Sequence, residues 1–154
     1  MNKEYDRYDL YCMATNEVAE FLGLGEVDTD ILDFSFDDIM SGLDYVWMDI
    51  KNDENQLIGY LSILLKPEIY PGIDFDIESM YILPEYRRQG YMSKTVKRFL
   101  DENFGGYSYC VIKEDEVTAN FWQKVISDNN CKPIDVDDVY NYVDLEVRGF
   151  RRER

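Results

Sequence analysis

Residues 81–100, YILPEYRRQGYMSKTVKRFL, decide how this chain is read. Met80-Tyr81-Ile82-Leu83 is an apolar strand segment that runs into Pro84 and then into the turn Arg87-Arg88-Gln89-Gly90-Tyr91-Met92. Beyond the turn, Met92, Val96, Phe99 and Leu100 recur at helical spacing opposite Lys94, Lys97 and Arg98, which predicts an amphipathic helix over 90–103. A glycine at the mouth of a helix lets backbone N–H groups approach a ligand closely. The first helical turn adds unpaired donors and the positive end of the macrodipole. Arg87 and Arg88, just ahead, contribute fixed positive charge and a fork suited to phosphate. The segment therefore reads as a pyrophosphate cradle. Neither G-x-x-x-x-G-K-[ST] nor G-x-G-x-x-G occurs, so the commoner phosphate loops are excluded.

Working outward, the pattern is α/β. Residues 3–22 predict a helix, ended by Gly23 and Gly25 and making residues 1–25 a helical N-terminal segment. Residues 26–43 form an acidic, turn-rich stretch with a short helix near Phe36–Met40. Tyr45–Lys51 and Gln56–Leu65 predict two strands joined by the polar turn Asn52-Asp53-Glu54-Asn55. Asp74–Leu83 is the strand that enters the cradle. Its period of two places Asp76, Glu78 and Met80 on one face, and Ile77, Ser79 and Tyr81 on the other. Strand 107–112, helix 115–127 and the strands Lys132–Ile134 and Tyr140–Val147 follow, leaving 148–154 as a basic tail. With no linker or repeat, residues 1–154 are expected to form a single domain.

A second motif, Ala119-Asn120-Phe121-Trp122-Gln123-Lys124-Val125, lies downstream of the cradle. Together the two segments resemble the GNAT superfamily of acyl-CoA-dependent N-acetyltransferases. There a Gln/Arg-x-x-Gly-x-Gly/Ala loop follows a strand, and a later helix carries N-x-[FY]-Y-x-K. Arg87, Gly90 and the approach Ile82–Tyr86 fit the first pattern, and Met92 stands where the family prefers Gly or Ala. The resemblance spans roughly residues 40–147. It implies the GNAT fold: a central mixed, mostly antiparallel sheet, splayed at the CoA site and flanked by helices. The family's usual first strand is not evident, and the chain is expected to begin with a helix instead.

The resemblance also implies chemistry. Acetyl-CoA is the expected acyl donor, held by Tyr81, Ile82, Arg87, Arg88, Gln89, Gly90, Tyr91, Met92, Ser93, Asn120 and Trp122. Ile82 would pair its backbone with the pantetheine amides like an added strand. Glu78 stands where the family often places a carboxylate that takes the proton of the acceptor amine. Enclosed by Tyr and Met, it would have a raised pKa. The family tyrosine that protonates the leaving thiolate is replaced by Trp122, whose indole N–H cannot supply a proton. The thiolate then leaves unassisted, or another tyrosine (Tyr86, Tyr91, Tyr140 or Tyr142) serves, or the activity is lost.

Composition limits the alternatives. There is no histidine, which removes Ser-His-Asp and Cys-His nucleophiles and the commonest zinc sites; no metal is expected. Cys12, Cys110 and Cys131 lack metal-like spacing and are expected to be reduced thiols. With no apolar leader or membrane-length run, a cytoplasmic protein is expected. The net charge of −16 is uneven: residues 1–56 hold 15 acids and 3 bases, while residues 57–103 hold 7 and 6. Positive charge is kept where an anionic donor would bind. The acidic remainder disfavours nucleic acid and favours a small cationic amine or a basic protein acceptor. Direct acetyl transfer to a primary amine is the expected activity, with a homodimer left open. The alternative is a catalytically weak GNAT-fold protein whose acidic surface binds a basic protein or mimics nucleic acid.

Overall fold

The computed structural model describes residues 3–137 and 144–154. Its elements are α1 (Arg7–Phe21), α2 (Thr29–Met40), β1 (Tyr45–Lys51), β2 (Leu57–Leu65), β3 (Phe75–Ile82), a 3-10 turn (Pro84–Tyr86), α3 (Tyr91–Glu102), β4 (Gly105–Ile112), α4 (Glu116–Asp128), β5 (Cys131–Ile134) and β6 (Leu145–Arg152). The six strands form a mixed sheet in the order β1-β2-β3-β4-β6-β5. The chain divides into two compact units, residues 1–62 with 79–92 and residues 63–78 with 93–154, so β2, β3 and α3 each contribute to both.

In the first unit α1 starts at a reciprocal cap. The Asp9 amide donates to the Asp6 carboxylate at 2.8 Å, and the Asp6 amide donates to that of Asp9 at 3.1 Å. Asp28 caps α2 through the Asp30 amide at 2.8 Å. The turn-rich reading of 26–43 is corrected here: α2 runs from Thr29, because acids in a first helical turn cap and complement the dipole rather than break the helix. Leu10, Tyr11, Ala14, Leu32 and Ile39 from the helices close over Ile50, Ile58 and Tyr60, with Tyr81, Ile82 and Leu83 in the same cluster. Trp47 stacks on Tyr60 at 4.1 Å and 13°. Gly59 is required by close approach, since a Cβ there would collide with the Tyr81 carbonyl and the Ile82 side chain.

In the second unit β3 pairs in parallel with β4 over Phe75–Ile77 and Tyr107–Tyr109. β6 lies antiparallel to β4 along its whole length and to β5 on its other side. The 148–154 tail is thereby corrected, because Arg148–Arg152 are strand residues. The complete burial of Phe150 outweighs the charge of the arginines around it. Arg152 donates to Asp101 at 3.0 Å and lies over the Phe104 ring. The closing strand expected over Tyr140–Val147 falls partly outside the described residues; β6 begins at Leu145.

Trp122 is 1% exposed and stacks on Tyr109 at 4.7 Å. Its packing gives it a structural role, so Trp122→Phe is expected to lower stability by about 1–3 kcal/mol and to leave donor affinity within about twofold. Thermal melts and donor titration check both. A large loss of affinity in the folded variant would contradict this reading.

Candidate functional site

The cradle begins where β3 ends. Leu83 donates its amide to the Ile58 carbonyl at 2.9 Å, which fixes the strand exit, and the Pro84–Tyr86 turn redirects the chain. Arg88 and Gly90 then take left-handed backbone angles, φ 64° and φ 85°. Two such residues bracket Gln89 immediately before the first turn of α3, at the positive end of the helix dipole. Arg88, Gln89 and Gly90 are all exposed, and a Cβ on Gly90 would meet no atom within 4 Å. The turn is therefore open to a ligand. Gln89 braces it from below through its side-chain amide, which donates to the Glu85 carbonyl at 3.1 Å.

Arg87 is placed otherwise than expected. Its Nε donates to the Ile82 carbonyl at 2.8 Å, and its Nη2 donates to both oxygens of Glu17 on α1 at 3.0 Å. The guanidinium lies 5.3 Å from the Tyr81 ring centre. The fork thus holds α1 against the strand end, and the Ile82 carbonyl already carries one hydrogen bond. Tyr81 and Ile82 have buried side chains, so only their backbone is available to a donor. Burial, with the Glu17 charge next, pushes the Tyr81 phenol up. Tyr91 and Met92 are half-buried, and Tyr91 meets Tyr86 edge to face at 6.3 Å. Tyr86 accepts from the Asn52 side chain at 3.2 Å. Tyr140 and Tyr142 lie outside the described residues.

In the second unit Ser93 and Asn120 are exposed, on α3 and α4. Trp122, expected among the donor contacts, is instead a core residue, packed against a stacked Tyr109 ring and a tilted Phe150 ring. Glu78 is exposed, so the expected enclosure by Tyr and Met is not found. Asp76, two residues earlier on the same strand face, is a carboxyl with raised proton affinity. Burial pushes it up, and the Ser108 hydroxyl, donating at 2.7 Å, offsets part of the rise. Glu17 and Asp76 were not singled out from the sequence. The strand's alternation pointed at Asp76, whereas no local pattern links Glu17 to a residue 70 positions away.

An exposed turn with left-handed residues at Arg88 and Gly90 thus joins the end of β3 to the start of α3. The chain belongs to the acetyltransferase (GNAT) family, whose sequence pattern matches residues 8–125. An acetyltransferase of this family from Bacillus cereus has a similar fold, with a TM-score of 0.61 at 15% identity, covering 100% of this chain and 96% of that one. A spermidine N-acetyltransferase chimera from Vibrio cholerae and hSSAT gives 0.60 at 15%, covering 96% and 91%. A phosphinothricin acetyltransferase from Sinorhizobium meliloti, in complex with acetyl-CoA, gives 0.58 at 12%, covering 97% and 85%. No curated protein matches the sequence. Among the described residues, no helix is long and apolar enough to cross a membrane.

Proposed function

We propose that this protein is a single-domain N-acetyltransferase that moves an acetyl group from acetyl-CoA directly to a primary amine, either a small cationic amine or a basic protein acceptor. The observation that carries this reading is the exposed left-handed turn at Arg88 and Gly90, opening the first turn of α3 in a chain of the GNAT family. The pyrophosphate sits on the backbone amides of residues 88–92, with the Arg88 side chain beside it. The family resemblance assigns Asn120 to the pantetheine arm. Glu78, exposed on β3, takes the proton from the attacking amine. The amine nitrogen forms its bond to the thioester carbon, and the sulfur leaves as thiolate. A thiol pKa near ~8.5 makes this leaving group tolerable without an acid, which fits the loss of the family tyrosine at Trp122.

A second placement of the base is favoured by one observation, the raised proton affinity of Asp76. The function as a whole is tested by measuring free thiol released from acetyl-CoA with spermidine, an aminoglycoside or a lysine peptide. Amine-dependent release is the expected result. Release that no amine accelerates would overturn the proposal.

A further inference from the structure

The inner face of α2 packs Leu32 and Ile39, both under 5% exposed, into the first unit. Its outward face is unusual: Ile31 is 60% exposed and Phe34 77% exposed, one helical turn apart. At 3.6 residues per turn, Asp30, Ile31, Phe34, Asp37 and Asp38 share an arc of about 120°. An apolar pair on one helix face, rimmed by carboxylates, has the composition of a contact patch: an apolar centre with a charged margin. Among the described residues no cation pairs with Asp30, Asp37 or Asp38. The sequence holds no lysine or arginine from residue 8 to residue 50.

We propose that this face docks a basic amphipathic segment of another protein, a helix presenting apolar side chains to Ile31 and Phe34 and lysines or arginines to the aspartates. Charge selects the occupant. A second copy of α2 would bring its own aspartates against these, and nucleic acid and anionic lipid are repelled likewise. A cationic helix satisfies both parts, because the stems of its lysines add apolar contact while their heads meet carboxylates. The face needs neither donor nor turnover, so docking stands apart from acetyl transfer.

Fluorescence anisotropy with a labelled leucine–lysine peptide of helical periodicity, beside an oligolysine of equal charge, tests the proposal. The amphipathic peptide is expected to bind, with affinity falling at least ~10-fold in Ile31→Ser/Phe34→Ser and in Asp30→Asn/Asp37→Asn/Asp38→Asn. Only the second variant is expected to lose its salt dependence as well. Gly90→Glu is expected to bind the peptide like wild type, which separates this test from the acetyl-transfer reading. Circular dichroism confirms that the surface substitutions leave the helices formed. Three outcomes would overturn the proposal: no peptide binding, oligolysine binding equally well with the serine variant unaffected, or a wild-type dimer in sedimentation that Phe34→Ser dissolves.

Discussion

Replacing Gly90 by glutamate is expected to lower affinity for coenzyme A at least ~100-fold, about 2.8 kcal/mol, while the chain stays folded. Two effects add. Gly90 sits at φ 85°, where an L side chain costs roughly 1–2 kcal/mol, so the turn relaxes away from its open shape. The new carboxylate also stands where the pyrophosphate must come, and like charges at short range repel strongly. The fold survives because Gly90 is exposed and a Cβ there meets nothing within 4 Å. Gly90→Asn is the control: asparagine tolerates the left-handed angle and carries no charge, so it is expected to keep affinity within ~10-fold of wild type. Calorimetric titration reads both. Unchanged affinity in a folded Gly90→Glu protein would remove the phosphates from this turn.

Glu78→Gln is expected to reduce turnover by ~100-fold or more while leaving acetyl-CoA affinity nearly unchanged, since it removes a base and keeps its shape. Asp76→Asn is expected to cost under ~10-fold in rate. The opposite ranking would move the base to Asp76. Asp76→Asn carries a separate signature in stability. The folded carboxyl is raised, so its favourable contribution is complete below the ordinary aspartate value of about 3.9 and is lost as pH rises through the folded value. Removing the charge removes that loss. The melting temperature of Asp76→Asn relative to wild type should therefore climb from acid to neutral pH, and a pH-independent difference would contradict the burial argument.

Much of the fold was legible because its signals are local. The hairpin around Asn52, the strand into Pro84 and the amphipathic α3 follow from alternation, turn residues and helical spacing within a few positions. The turn into α3 was legible for the same reason, as glycine and charge stand together in six residues. What escaped depends on distant partners. The start of α2 was hidden by aspartates that read as turn formers until their capping geometry is seen. The Arg148–Arg152 strand was masked by its charges, although Phe150 between them is fully buried. The site differed most where one side chain could choose between partners. Arg87 spends its fork on Glu17, and Trp122 its ring on Tyr109 and Phe150, neither choice being written in adjacent residues.

The hold of Glu17 on Arg87 links two equilibria. The guanidinium ties the far half of α1 to the residue that opens the turn before α3, through one pair of hydrogen bonds. A donor phosphate that drew Arg87 toward itself would first have to release Glu17, and a ligand that strengthened the Glu17 contact would keep Arg87 from the phosphate. By thermodynamic reciprocity the two effects are equal in size. On the proposed placement of the donor, its affinity is accordingly tied to the N-terminal helix as well as to the glycine turn.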